Sequence, residues 1–463
     1  MTDSLTSLPL EQQVGQIFYI GLPGTEMDAE ARSLVEEVSP GGVIIFGRNV
    51  AAPEQLRKLL DDARALLPAE PLCGIDQEGG LVDRLRRICT PMPAARTIRQ
   101  HGDLAAARSL GRITGEVLRL LGFNMNFAPV MSIMTDERDL LSNGLYSRSY
   151  GRSPGEVLGY TMVYLRALQG VGCMGCLKHF PGIGAGEVDS HEEMPLVHLS
   201  HDDLMAQDLA PYIELFQRED DRDLLSNGLY SRSYGRSPGE VLGYTMVYLR
   251  GLQGTGILGC TKHFPGIGAG EVDTHEEMAV IHLTHDDLIA QDLAPYIELF
   301  QREDNMVRAV MVSHGGFPNI DIHRGIAGGR LVPASINPSI VRDLLRDELG
   351  YDGLVVTDDL EMGAIAKHCE IEEASLRAVL AGEDMLLVCA RPDLIRRSYR
   401  ALLDAARRGE LSRGRIQASL RRIAAFKALT KPPLTFDPKR FQELSAEVAE
   451  LSRKLNYMYG GKF

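Results

Sequence analysis

Hydrogen-bonding and titratable side chains recur in this sequence where short apolar runs give out. Asp76, Gln77 and Glu78 follow PLCGI, Lys178 and His179 follow GCMGCL, Ser313 and His314 follow RAVMV, and Asp358 and Asp359 follow GLVVT. A carboxylate so placed can act as a nucleophile or base, yet a strand-terminal aspartate caps the next helix about as often as it reacts. A second pattern is Asp189-x-His191 in the glycine-rich stretch GIGAGEVDSH, which recurs as Asp273-x-His275. Histidine titrates near neutral pH, and a neighbouring carboxylate favours its cationic form and orients the ring, so such a pair can give and take a proton. Standing alone, Asp-x-His in a loop is more often a solvated turn or a stray metal ligand. Lys178 is less easily dismissed, because a lysine within an apolar strand costs desolvation unless it reaches a ligand or partner. No HExxH-like spacing offers a metal site, and GIGAGE lacks the GK[ST] ending of a phosphate loop, so no metal or cofactor is expected.

Elements that would hold these groups follow from the hydrophobic pattern. Short β-branched runs alternate with longer amphipathic stretches, the pattern of βα units and a parallel sheet. Candidate strands begin at Gly15, Gly41, Pro71, Met125, Arg308, Gly353 and Asp384, with another in GCMGCLKHF or in its copy near Thr255. That copy belongs to a tandem repeat: residues 138–220 recur with few changes at 222–304, so that His191 answers to His275. Two copies are too few for a solenoid, and a duplicated piece of one larger domain fits better. The strand count is eight if the repeat contributes once and nine if twice; eight closes a (β/α)8 TIM-type barrel, whose strand ends share one active face. Expected helices include SPGEVLGYTMVYLRALQG, with Ser153 as N-cap and Pro154 at the first helical position, HDDLMAQDLAPYIELF, and RGRIQASLRRIAAFKALTKPP. The α/β barrel is therefore expected as a single domain over residues 1–430, carrying a duplicated α-β-α segment. A charged tail, 431–463, packs on its surface or frays.

Composition narrows the classes. A chain of 463 residues, 44% hydrophobic and 24% charged, buries a large core without disulfides or metal. Its formal charge of −14 opposes a nucleic-acid partner, and the nearest basic cluster, RLRRIC around Arg84 to Arg87, reads as a solvated helix face. Apolar runs are too short to span a membrane, and MTDSLTSLPLEQQVGQ lacks the pattern of a secretory signal, which points to the cytoplasm. The seven cysteines, scattered in apolar contexts, read as reduced thiols, and the lone CxxC of Cys173 and Cys176 as core packing.

KHFPGIGAGEVDSH (Lys178 to His191), IDQEGG (Ile75 to Gly80), NFAPV (Asn126 to Val130) and VTDDLEM (Val356 to Met362) resemble glycoside hydrolase family 3. Within it they are most similar to the single-domain bacterial β-N-acetylglucosaminidases (β-hexosaminidases). FGRN (Phe46 to Asn49) and MVSHGGFP (Met311 to Pro318) add support in the right order, and the match runs from about Gly15 to near Leu429. The resemblance implies retaining hydrolysis of a terminal β-linked N-acetylglucosamine, in the family setting from peptidoglycan fragments during recycling. Asp358 would then be the nucleophile, with Asp359 the alternative, and Asp189–His191 the acid/base dyad on a mobile loop. Asp76, Arg84, Arg148, Lys178 and His179 would bind sugar hydroxyls.

Leu81 stands where the family usually has arginine and Ser132 where an aspartate commonly follows NFAPV, departures that bear on substrate range. Both copies of the repeat keep every reactive residue: Asp273 and His275 match the dyad, and Arg232, Lys262 and His263 match the binding set. Ser190 and Pro195 tilt the choice narrowly toward the first copy, although the second, with Thr274 and Ala279, runs directly into the sixth strand. Three other activities remain open: phosphorolysis, β-glucosidase action, or sugar binding by a barrel that the duplication has disrupted. The partner is a small saccharide in each case, and the oligomeric state is not legible.

Overall fold

The computed structural model describes residues 3–130, 145–175, 260–265, 278, 280, 284, 293, 308–319 and 331–457. The chain divides into two units. Unit one comprises Met1–Ile44, Asp61–Cys73 and Gly259–Thr430; unit two comprises Ile45–Leu60, Gly74–Leu258 and Lys431–Phe463.

The apolar runs become strands β1 (Phe18–Gly21), β2 (Gly42–Ile45), β3 (Leu72–Ile75), β6 (Met125–Asn126), β7 (Met174–Gly175), β8 (Cys260–Phe264), β9 (Ala309–Val312), β10 (Leu354–Asp359) and β11 (Met385–Val388). Between β3 and β6 lies an antiparallel hairpin, β4 (Gln77–Gly79) and β5 (Val82–Asp83). In unit one the parallel neighbours run β2, β1, β11, β10, β9, β8. Strand β3 begins in unit one, where Leu72 N donates to Gly41 O at 3.1 Å. It ends in unit two, where Gly74 and Ile75 pair with Met125 and Asn126 of β6, and β6 in turn pairs with β7. Continuous apolar character marks strands covered on both faces: Phe18, Ile20, Val355, Leu386 and Val388 are fully buried, each side chain contributing about 1.5–3 kcal/mol.

Nine parallel strands among the described residues means that both repeat copies supply one. Strand β7, in unit two, comes from the first copy; β8, in unit one, comes from the second and matches Cys176 to Phe180 of the first.

The helix Pro154–Gly170 starts where its sequence says, with Ser153 Oγ accepting from Glu156 N and proline at the first turn. It packs on Leu104–Leu121 so closely that a Cβ at Gly111 would lie 2.1 Å from Tyr164 O. The helix Arg413–Lys427 is capped by Ser412. HDDLMAQDLAPYIELF lies outside the described residues. Arg84 to Arg87 do not form the expected helix face: this is a turn, in which Arg86 donates to the carbonyls of Asp83 (2.8 Å) and Leu81 (2.6 Å). Arg86 here satisfies turn carbonyls, a local role that charge pattern alone does not reveal.

Most of the tail is a helix, Pro438–Lys454, whose cap Asp437 accepts from Lys439 N and Arg440 N. It docks within unit two: Arg440 bonds Glu116 at 2.7 and 2.9 Å, Arg112 bonds Glu447, and Ser445 Oγ meets Thr90. No helix among the described residues is long and apolar enough to cross a membrane. Cys73, Cys89 and Cys173 are buried and in no disulfide; burial pushes Cys173 up to about 12 and Cys73 to about 11.

Candidate active site

In unit one the chemistry gathers at the C-terminal end of β10. The register of β10 against β11 shifts between Val356 and Asp359, and Thr357 Oγ1 takes the place of a backbone acceptor for Leu387 N at 3.1 Å. Such a bulge re-aims the side chains beside it. Here it brackets Asp358, whose Oδ1 accepts the amide of Asp359 at 2.8 Å. Asp359 points elsewhere: its Oδ1 accepts Glu361 N at 3.1 Å, and its carboxyl shares a hydrogen bond with the Cys389 thiol. Burial first, then the negative charges of Glu361 and Asp358, push the Asp359 carboxyl up to about 7. Glu361 is anchored by the amides of Cys389 (2.8 Å), Ala390 (2.7 Å) and Arg391 (3.2 Å), at the N-terminus of the helix Pro392–Arg407, where a negative charge is favoured.

His314, at the end of β9 and 1% exposed, bridges two segments: Nδ1 lies 2.7 Å from Ser335 Oγ and Nε2 lies 3.1 Å from Asp359 O. On the far side of β9 is β8, with Lys262 opposite Met311 and Phe264 opposite Val312, so His263 is the extra residue of a second bulge. The backbones of Lys262 and His263 therefore sit on a strand two places from the one that ends in Asp358 and Asp359.

In unit two the rim is built at the end of β3. Gln77 N donates to Asn126 Oδ1 (2.9 Å) and Asn126 Nδ2 to Gln77 O (3.0 Å), which ties the ends of β3 and β6 together. Gln77 Nε2 donates to Asp83 Oδ1 (2.8 Å), whose carboxyl also accepts Leu85 N and Met92 N, fixing the hairpin that follows. Burial raises the Asp83 carboxyl, opposed first by the Gln77 bond. Asp76, half-buried, precedes this frame. Arg84, also half-buried, has a buried Nε and makes no hydrogen bond or ion pair with the described residues. Arg148 is already engaged: with Glu78 it forms a two-point ion pair, 2.7 and 2.9 Å, the side chains 1% and 5% exposed.

Of the residues singled out in the sequence, unit one thus carries Asp358 and the backbones of Lys262 and His263, and unit two carries Asp76, Arg84 and Arg148. Asp189, His191, Asp273, His275, Lys178, His179 and Arg232 lie outside the described residues. Sequence reasoning gave no part to Asn126, Asp83, Ser335 and Glu361. Among these Asn126, inside NFAPV, and Glu361, inside VTDDLEM, carried a motif signal.

Comparison with known proteins agrees with this architecture. The model for the glycosyl hydrolase family 3 N-terminal domain matches residues 9–222 and again 220–426, the two matches meeting where one repeat copy gives way to the next. A β-hexosaminidase of Bordetella avium is 28% identical over 382 residues, 81% of each chain. One from Methylococcus capsulatus is 25% identical over 407 residues, 87% of this chain and 89% of that one. The structure of a family 3 β-N-acetylglucosaminidase from Paenibacillus superposes with a TM-score of 0.55 at 28% identity, covering 96% of this chain and 69% of that one. The α/β fold is accordingly the TIM-like barrel fold of that family. With both family matches in place, the chain belongs to glycosyl hydrolase family 3, a glycoside-cleaving enzyme.

Proposed function

We propose that the enzyme is a retaining β-N-acetylhexosaminidase acting on terminal β-linked N-acetylglucosamine, in the cytoplasm and on fragments of peptidoglycan. Its relatives of similar length bear the β-hexosaminidase name. The observation that carries the reading is Asp358, set by a bulge at a strand end with one carboxylate oxygen held by an amide. In this reading a carboxylate oxygen of Asp358 attacks C1 of the sugar. A C1–oxygen ester forms, the bond from C1 to the leaving oxygen breaks, and that oxygen takes a proton from a histidine. Water then attacks C1, giving its proton to the same histidine, and Asp358 leaves as the carboxylate.

Asp76 and Arg84 bind sugar hydroxyls in this reading, with Arg148 and the lysine–histidine pair that ends the fifth strand; the half-buried, unengaged Arg84 supports its part. For the acid/base, the second copy of the repeat, with Asp273 and His275, is favoured over the first, with Asp189 and His191. Its support is the pairing of β8 with β9, in the same unit as Asp358.

A chromogenic N-acetylglucosaminide tests this. Asp358→Ala is expected to lower kcat by at least about 10⁴-fold. His275→Ala is expected to lower it by about 10²–10⁴-fold and His191→Ala by less than about threefold. Turnover by Asp358→Ala at the wild-type rate overturns the nucleophile, and a crippled His191→Ala beside an active His275→Ala reverses the choice of copy.

A further inference from the structure

We propose that His314 is a positioning residue for the nucleophile, holding Asp358 through the backbone of Asp359; the inference rests on the reading of Asp358 given above. A carbonyl oxygen only accepts, so the 3.1 Å contact between His314 Nε2 and Asp359 O requires the ring hydrogen on Nε2. Nδ1 of the neutral ring is then an acceptor, and the Ser335 hydroxyl at 2.7 Å supplies its hydrogen. Ser335 is fully buried and is itself tied to the end of β9, its amide donating to Ser313 O at 3.0 Å. The imidazole is thus a strut from a fixed turn to residue 359. From the other side of that residue, the Asp359 amide donates to Asp358 Oδ1 at 2.8 Å.

A strut is needed at this point because the ladder fails there. Between Val356 and Asp359 the β10–β11 register shifts, Leu387 N turns to a threonine hydroxyl, and the Asp359 amide is aimed at a side chain. What still locates residue 359 is its carbonyl, which accepts from His314 and from Met362 N at 3.0 Å, with Leu360 N reaching Leu387 O at 3.0 Å. Without the imidazole, residue 359 can shift by up to about 1 Å, and the carboxylate held by its amide shifts with it. Misplacement of that size at an attacking atom costs rate on the order of 10²-fold while leaving the bound sugar's contacts in place.

The test compares His314→Ala, His314→Gln and Ser335→Ala with Asp358→Ala, reading kcat and KM on an aryl N-acetylglucosaminide, binding of free N-acetylglucosamine, and thermal unfolding. His314→Ala is expected to lower kcat by about 10²-fold with KM and sugar binding within about threefold. The glutamine amide reaches the position of Nε2 and restores the donor, so His314→Gln recovers to within about tenfold of wild type. Ser335→Ala, which loosens only the far end of the strut, costs a few-fold. The loss in His314→Ala persists with a dinitrophenyl leaving group, which needs no proton; rescue by that substrate would make His314 a proton donor and overturn the inference. So would wild-type kcat in a folded His314→Ala, or equal damage from alanine and glutamine. Should the alanine variant not fold, the order of the glutamine and serine variants decides: glutamine as impaired as an inactive enzyme sinks the proposal. Activity in Asp358→Ala removes the reading beneath it, whereas an inactive Asp358→Ala beside unimpaired His314 variants removes this inference alone.

Discussion

Asp358–Asp359 and Glu383–Asp384 are both adjacent acids in unit one, the first pair closing β10 at its C-terminal end, the second standing immediately before β11. Around Asp384 the fold places three guanidinium groups, Arg346 at 2.6 Å, Arg415 at 3.5 Å and Arg422 at 3.4 Å, together with Ser419 Oγ and the amide of Val355. Around Asp359 it places an amide, a thiol and two further carboxylates. A carboxylate saturated by arginines has no lone pair to offer a substrate and serves to join Arg346, Arg415 and Arg422 at the strand's entry. One held by neutral groups keeps its chemistry. On the reading proposed above, what separates a structural acid from a reactive one is therefore the company it keeps, since both pairs stand at ends of neighbouring strands of the same sheet.

The comparison breaks most visibly if Asp384 is dispensable. Asp384→Ala strands three arginines in a desolvated site, and removing one partner of a buried ion pair costs about 3–5 kcal/mol. Denaturant melts should show a loss of that size, or failure to fold, whereas Asp358→Ala should unfold within about 1 kcal/mol of wild type. An Asp384→Ala protein as stable as wild type would show that the arginines find other acceptors and that the two pairs do not differ in kind.

This contrast was only half legible in the sequence. VVTDD announces a strand ending in acids, and the β-branched runs of β1, β2, β9, β10 and β11 announce parallel strands, because burial on both faces leaves a continuous apolar signature. Nothing local marks Asp384 as the acid that takes three arginines, since those lie 31 to 38 residues away along the chain. The same distance problem hid Arg148: its partner Glu78 is 70 residues away, so a residue expected at the sugar turns out to be bound first to a carboxylate. The β4–β5 hairpin escaped because QEG and VD carry no apolar alternation, and its turn rests on Gly79 and Gly80 at positive φ. Both copies of the repeat read alike, and only strand pairing separates β7 from β8.

Glu383 sharpens the comparison from the structural side. It is fully buried, and neither carboxyl oxygen has a hydrogen-bond partner among the described residues. Burial first, then Asp384, raises its carboxyl well above the usual range against the pull of Arg346 and Arg415. A carboxyl whose folded pKa exceeds its unfolded value supports the fold below the unfolded pKa and loses that support as pH climbs toward the folded value. Glu383→Gln removes the loss. The variant should match wild type near pH 4 and be more stable than it at pH 8 in urea titrations. A variant less stable than wild type at pH 8 would mean that the ionised glutamate is held by the arginines after all.

Asp359→Asn carries the smallest expected effect and bears most directly on the reactive pair. Asparagine keeps an oxygen for the Glu361 amide and removes the charge, while the Asp359 backbone, which holds Asp358 and meets His314, is unchanged. With the folded carboxyl up to about 7 and the unfolded one near 4, wild-type stability drains away between those pH values and the variant's does not. The difference should reach about 1 kcal/mol at pH 8, reduced by the site's partial contact with water. At pH 6, where the wild-type group is mostly neutral, kcat should agree within about threefold. A loss at pH 6 as deep as that of Asp358→Ala would give Asp359 a direct part in the reaction, and the two carboxylates at the end of β10 would then have to be treated as one catalytic unit.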